Sequence, residues 1–257
     1  MTQVDLFAET SQNLKRIKLG NIRVNLEDHL RVAQAKSLTY LEFLHGLTQE
    51  EIHGREQSNY LRRLKAAKFP ADKTFDSFDF AFQPTLSKDK VVQLQDCRWV
   101  ANAENIILAG QAGTGKTHLA IALGHRAIEC GYHVYFTSLA DLLDQIHAGT
   151  ITGQIHQLQR KLLKQDVIIL DELGYLKVRS EPGNFLFRLV SQAYEKRSLI
   201  ITTNKDFSGW AEIFEDQVQV AAMLDRLLHH SHIFSLSGDS YRIKHRATET
   251  QTETGEK

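Results

Sequence analysis

Asn105-Ile106-Ile107-Leu108-Ala109-Gly110-Gln111-Ala112-Gly113-Thr114-Gly115-Lys116-Thr117 decides how the rest of this 257-residue chain is read. Asn105 to Ala109 is a short apolar run, as expected of a strand covered on both faces. Gly110 to Thr117 then matches G-x-x-x-x-G-K-[ST] at every position. Lys116 to Cys130 has the length and composition of a helix. Strand, glycine-rich turn and helix in that order make a phosphate cradle. Gly110, Gly113, Thr114 and Gly115 let backbone N–H groups curl around phosphate oxygens. Lys116 brings positive charge to the β- and γ-phosphates, Thr117 offers a hydroxyl to Mg²⁺, and the helix adds its N-terminal dipole. The expected ligands are ATP and Mg²⁺.

Working outward, strands and helices alternate from about residue 100. Further apolar runs lie at His133–Phe136, Asp166–Asp171, Leu199–Asn204 and Ile233–Leu236. Helical stretches fall near Gly183–Lys196 and Val218–Leu228. Near-continuous apolar strands imply a parallel sheet inside an α/β fold. There are no internal repeats. Asp171 ends an apolar run at the sheet's C-terminal edge, where it is placed to hold the magnesium shell. Glu172 follows as general base for an attacking water. An acid at that position favours hydrolysis over nucleotide storage. Asn204 tips the Ile/Thr strand and is a candidate for orienting water or touching the γ-phosphate. Arg226, on a largely apolar helix, reads either as a surface residue or as an arginine finger to a neighbouring subunit. Arg242 reads either as a surface residue or as a sensor of nucleotide within its own subunit.

Residues 1–70 carry helical periodicity, including Tyr40, Phe43, Leu44 and Leu47. Thr48 with Glu51 three residues later predicts a capping box and hence a helix start. A linker follows over 71–99, with Pro70 ending the helix before it. Phe75, Phe78, Phe80 and Phe82 either pin this linker to the core or place one ring near the nucleotide base. Residues 100–246 form the nucleotide-binding domain. The polar Thr/Glu-rich tail, 247–257, is expected to be disordered.

Composition narrows the setting. Apolar residues make up 42% of the chain, enough for a sizeable core. No run is long enough for a membrane helix, and the N-terminus does not read as a signal peptide. Cys97 and Cys130 are too few for a disulfide framework or a four-cysteine zinc site, and both are expected to be small core residues in a reducing cytoplasm. Net charge is +0, but between Ile52 and Lys68 five basic residues face one acid, Glu56. Arg55, Arg62 and Lys65 share one side of a helix there, with Arg63 adjacent, and Tyr60 and Leu64 lie roughly opposite. Arg160, Lys161 and Lys164 form a second basic segment. Both are candidates for phosphate contact with DNA, without an array for reading bases. Twelve histidines are scattered apart from His229, His230 and His232; no cysteine or acid completes a recognisable ligand set around that cluster, which is expected to be structural.

Four stretches carry a family resemblance: Gly115-Lys116-Thr117-His118-Leu119-Ala120, Leu170-Asp171-Glu172-Leu173-Gly174-Tyr175, Leu224-Asp225-Arg226-Leu227-Leu228-His229-His230 and Gly238-Asp239-Ser240-Tyr241-Arg242. From about residue 13 to 245 the chain resembles the IstB-type helper ATPases of bacterial insertion-sequence transposition, within the AAA+ clade that also holds DnaA and the DnaC-type helicase loaders. The resemblance implies a three-layer α/β/α P-loop sandwich with a small helical N-terminal domain. It implies that His118 joins the nucleotide contacts, that Arg226 acts in trans and that Arg242 is the second sensor. ATP would then sit between subunits of a homo-oligomer. The implied function is assembly on double-stranded DNA and stimulation of a partner transposase. Lys177 and Arg179 depart from the family by being basic, which bears on DNA contact alone. A replicative helicase loader is the alternative with the same motor. A small-molecule kinase would need an arginine-rich lid, and a non-hydrolysing switch would not need Glu172.

Overall fold

The computed structural model describes residues 3–238, 240 and 241. Arg242 and the 247–257 tail lie outside the described residues. The chain forms two compact units, residues 1–62 and 63–257.

The first unit contains α1 (Gln3–Arg16), α2 (Gly20–Lys36) and most of α3 (Tyr40–Ala67). α3 does not begin at Thr48. Its capping box is Thr39 with Glu42: the Thr39 N–H donates to Glu42 Oε2 at 2.8 Å, and the Glu42 N–H donates to Thr39 Oγ1 at 3.3 Å. The two signals share one spacing, and the upstream one wins because the helical pattern already runs through Tyr40–Leu47. Thr48 instead donates to the His45 carbonyl within the helix, at 2.8 Å. α2 follows Leu19, which has no side-chain oxygen to cap it. Glu51 of α3 takes over that task. Its buried carboxylate accepts from the N–H groups of Asn21 and Ile22 at 3.0 and 3.2 Å, and from Arg55 Nε at 2.8 Å. Arg55 also donates to the Lys18 carbonyl. Tyr40 and Leu44 are exposed, whereas Ile22 and Leu26 are buried.

In the second unit Phe69 packs on His125 and Phe136, with ring centroids 4.7 and 6.4 Å away. A short 3₁₀ turn over Phe80–Phe82 is capped by Asp79. Next come α4 (Lys88–Gln93) and α5 (Arg98–Ala101), which contribute Val91, Trp99 and Val100 to the core. Then follow β1 (Asn105–Gly110), α6 (Lys116–Glu129), β2 (Val134–Ser138), α7 (Leu139–Ile151), α8 (Ile155–Leu163), β3 (Val167–Leu173), α9 (Ser180–Ala193), β4 (Ser198–Thr203), α10 (Trp210–Ile213), α11 (Gln217–His229) and β5 (Ser231–Leu236). The five strands form a parallel sheet in the order β2-β3-β4-β1-β5.

Alternation along the strands divides the core. Ile168 and Leu170 of β3, with Leu199 and Ile201 of β4, join Leu142, Phe185, Leu189 and Met223 from α7, α9 and α11. Ile169, Asp171, Ile200 and Thr202 point to the other face, which α6 covers. Buried Asn105 ties three elements together, accepting from the Leu199 N–H and donating to the Leu227 carbonyl. Cys97 is buried, but Cys130 is exposed, contrary to its expected place in the core. It lies at the C-terminal cap of α6, in the turn that leads to β2.

Burial raises the Glu51 pKa, but its hydrogen bonds from Arg55, Ile22 and Asn21 outweigh burial and hold it below the usual glutamate value. A depressed folded-state pKa stabilises above the unfolded value of about 4.3 and loses that contribution as pH falls through the folded value. Amide-exchange protection at Asn21 and Ile22 is therefore expected to weaken below about pH 4. Glu51→Gln should flatten that dependence, and Glu51→Ala should cost about 1–3 kcal/mol of protection at neutral pH.

Candidate nucleotide-binding site

The C-terminal edge of the sheet brings the phosphate loop against Asp171 and Thr202. Gly115 stands at the head of α6 with φ +93°, and a Cβ there would approach the Phe78 ring to 3.0 Å. Glycine serves both the turn and that close contact. Thr114 Oγ1 donates to the Gln111 carbonyl at 2.8 Å, and Lys116 Nζ donates to the same oxygen at 2.6 Å. The Lys116 side chain is buried, so its charge is held inside the loop.

Thr117, in the first turn of α6, donates to Asp171, with its Oγ1 2.9 Å from Oδ1. Asp171 is 5% exposed, which makes its hydrogen-bond donors matter. Thr202 Oγ1 donates to the same Oδ1 at 2.5 Å. The Thr202 oxygen also accepts from the Glu172 N–H at 2.9 Å. One β4 hydroxyl thus grips both acids of β3.

Glu172 reaches the cavity through a backbone irregularity. The β3–β4 register runs Leu170↔Ile201 and then Leu173↔Thr203, so β3 carries one extra residue. Glu172 adopts φ +62° at this bulge. In an unbroken strand its side chain would face away from Asp171, into the α7–α9 core. The bulge leaves Leu173 in that core and turns Glu172 to the nucleotide side, where it is exposed. Such strain at a non-glycine residue recurs at functional sites.

A cavity of about 420 Å³ opens here, lined by Lys116, Thr117, Glu172, Thr202, Phe78 and Tyr241 among others. Phe78 is pinned edge-on to His118 at 5.2 Å and to Phe80 at 4.8 Å, yet it and Phe82 line the cavity. Tyr241 closes against Phe82 at 5.1 Å, and its N–H donates to the Gly113 carbonyl. His118 also lines the cavity, but its Nε2 donates to the Thr74 carbonyl at 2.9 Å. Burial lowers its pKa, outweighing that hydrogen bond. Through this contact the imidazole braces the 74–78 turn.

The other residues singled out from the sequence are scattered. Asn204 follows the end of β4, and its Oδ1 is buried with no hydrogen-bond partner among the described residues. It closely overhangs Gly174, where a Cβ would come within 2.3 Å. Arg226 is half-buried on α11, donates to the Ala222 carbonyl and stacks over Phe187 at 5.4 Å, away from the cavity lining. Arg55 is not a free basic group, being committed to Glu51 and Lys18. Lys161 is likewise engaged, with Nζ 4.6 Å from the Tyr135 ring centre. Arg160, Lys164, Arg62 and Lys65 are exposed; Arg62 contacts Asn59, and Arg63 is half-buried. His229 and His230 do gain an acid, because the fold brings Glu195 beside them from a distant part of the chain. Thr202 went unrecognised in the sequence. Its signal, a polar residue in an otherwise apolar strand, is shared by Thr203, and only pairing with β3 separates the two.

The residues fit Mg²⁺ and nucleotide phosphates. A buried carboxylate and a hydroxyl in mutual contact supply hard oxygen donors, and a buried lysine stands at the same loop. This parallel sheet, with its phosphate loop after β1 and the acid-tipped β3 one strand away across β4, defines a P-loop protein of three-layer α/β/α architecture with the AAA+ fold. The fold resembles AMPPCP-bound DnaA from Aquifex aeolicus, with a TM-score of 0.57 and 19% identity, covering 72% of this chain and 56% of that one. The family described as IstB-like ATP binding protein matches residues 12–249, and the chain belongs to it. It is 42% identical over 231 residues to a protein of Pseudomonas aeruginosa named as an ATP-binding protein of insertion sequence IS21, covering 90% of this chain and 87% of that protein. It is 40% identical to its IS5376 counterpart in Geobacillus stearothermophilus, covering 82% and 84%. No helix among the described residues is long and apolar enough to cross a membrane.

Thr202→Val preserves shape but strands the Glu172 N–H and removes a donor to buried Asp171. The expected cost is about 1–3 kcal/mol, read as a lower urea midpoint with an unchanged slope.

Proposed function

We propose that this protein is a Mg²⁺-dependent ATPase that assembles on double-stranded DNA and stimulates the transposase of its insertion sequence. The observation that carries the ATPase reading is the Thr117–Asp171–Thr202–Glu172 chain of hydrogen bonds beside the phosphate loop. The family's insertion-sequence relatives support the setting.

In this reading the loop N–H groups from Gly110 to Thr117 and the Lys116 ammonium bind the phosphates. Thr117 and Asp171 would hold Mg²⁺, which would supply positive charge against the phosphate oxygens. Glu172 accepts a proton from water as the water oxygen bonds to the γ-phosphorus. The bond from that phosphorus to the bridging oxygen breaks, and ADP leaves with the electron pair. Asn204, with its amide oxygen unsatisfied, orients that water. Phe78, Phe82 and Tyr241 wall the cavity away from solvent. Arg226 lies outside its own subunit's cavity, which suits a residue that completes a neighbour's site in a homo-oligomer. Arg242 would sense the nucleotide from within the subunit. Exposed Arg62, Lys65, Arg160 and Lys164 meet DNA phosphates, and no base-reading array accompanies them.

ATP turnover, nucleotide affinity and assembly size, each with and without duplex DNA, test this reading. Glu172→Gln should lower turnover at least about 100-fold while ATP still binds. Lys116→Ala should abolish binding. Arg226→Ala should lower turnover by about 1,000-fold, with activity restored in mixtures that supply an intact neighbour. Unchanged turnover in Glu172→Gln would remove the proposed base. DNA affinity should fall steeply with salt; a flat response rules out phosphate-dominated contact. Pull-down of a replicative helicase in place of the transposase would make the protein a loader.

A further inference from the structure

Outside the nucleotide cavity, three side chains with metal-binding chemistry converge where α9 and α11 end. α11 finishes at His229, and His230 leaves the helix with φ −124° and ψ 79°. Successive residues within a helix point about 100° apart. The departure of His230 instead brings the two imidazoles together, with ring centroids 4.0 Å apart. Glu195, in the turn after α9, enters from the other side, its Oε1 3.6 Å from His230 Nε2. One donor atom from each of Glu195, His229 and His230 lies within 4.8 Å of the other two.

We propose that Glu195, His229 and His230 form a binding site for a divalent cation of the zinc class, such as Zn²⁺, Co²⁺ or Ni²⁺. Two imidazoles and one carboxylate are an open three-ligand set for such ions, with water in the remaining position. Nitrogen donors select against Mg²⁺, which prefers oxygen. Donors on one ion at about 2.0–2.2 Å stand roughly 3.3 Å apart, so exposed side chains need move only slightly. Tyr194 supplies the outer contact that holds a metal-bound imidazole in place. Its hydroxyl lies 2.7 Å from His229 Nδ1, and its ring stacks beside the His229 ring. The C-terminal end of a helix also favours positive charge. His229 and His230 lie one turn beyond Arg226, so the bound ion adds charge to the stretch of α11 carrying that arginine. The competing account is a solvated Glu195–His230 ion pair, worth little by itself.

The test uses the untagged full chain, chelator-treated and free of nucleotide, titrated with Co²⁺ and then Zn²⁺. One equivalent of Co²⁺ should develop visible absorption of a low-coordinate nitrogen–oxygen site and be displaced by Zn²⁺. Glu195→Gln and His230→Ala should each weaken binding at least about tenfold, the His229→Ala/His230→Ala double variant should abolish the band, and Tyr194→Phe should weaken it by about tenfold. His147→Ala, at an exposed histidine of α7, should leave it unchanged. All five positions lie outside the nucleotide cavity lining, and circular dichroism checks that each variant is folded. No Co²⁺ band, or a band that the double variant retains, overturns the proposal.

Discussion

The buried carboxylate of Asp171 is the constraint around which the second unit is arranged. A charge with 5% exposure is costly unless donors surround it. Two hydroxyls supply them, Thr117 from α6 and Thr202 from β4. Each comes from a different element, so the contact holds only if β3 and β4 are in register and α6 crosses the correct face. The parallel sheet meets this requirement by placing Ile169, Asp171, Ile200 and Thr202 on the α6 side, while their neighbours fill the opposite core.

The same arrangement explains why Glu172 needs an irregular backbone. Consecutive strand residues point to opposite faces, so Asp171 and Glu172 cannot both serve the cavity from a regular strand. One additional residue in β3 resolves the conflict, and the Thr202 oxygen receives the Glu172 N–H displaced by the bulge. Thr202 therefore couples the proposed metal ligand to the proposed base. On the other side of the cavity, Phe78 fits against Gly115 because that loop position has no side chain. The Phe78 side of the cavity and the glycine-rich loop are in this way parts of one packing unit.

The nucleotide cavity and the histidine cluster at the end of α11 differ in accessibility and donor chemistry. The cavity uses hydroxyl and carboxylate oxygens around a buried lysine, suited to phosphate and a hard cation. The cluster offers exposed imidazoles beside one carboxylate, suited to a softer ion. Arg226 connects the two functionally if it serves a neighbouring subunit, because it lies on the same helix as His229. Its guanidinium rests on Phe187 and on the Ala222 carbonyl of its own helix.

Much of this protein was legible in its residues because the signals were local. An apolar run, a glycine turn and a helix are adjacent in the chain, so Gly110–Thr117 announced the cradle and Asp171–Glu172 the acid-tipped strand. The alternating pattern was enough for a parallel α/β sheet. Local signals also misled: Thr48 and Thr39 both offer a capping box, and the helix begins at the earlier one. Cys130 follows an apolar helix, but its position at the helix end leaves it exposed. Tertiary structure alone decided that Thr202 grips both acids, that His118 braces the 74–78 turn, that Arg55 and Lys161 are engaged, and that Glu195 joins His229 and His230. Each of these contacts joins residues from separate elements, so it depends on strand register and on which faces pack together. Hydrophobic periodicity along a single segment determines which elements form, but carries no information about which polar side chains meet across them.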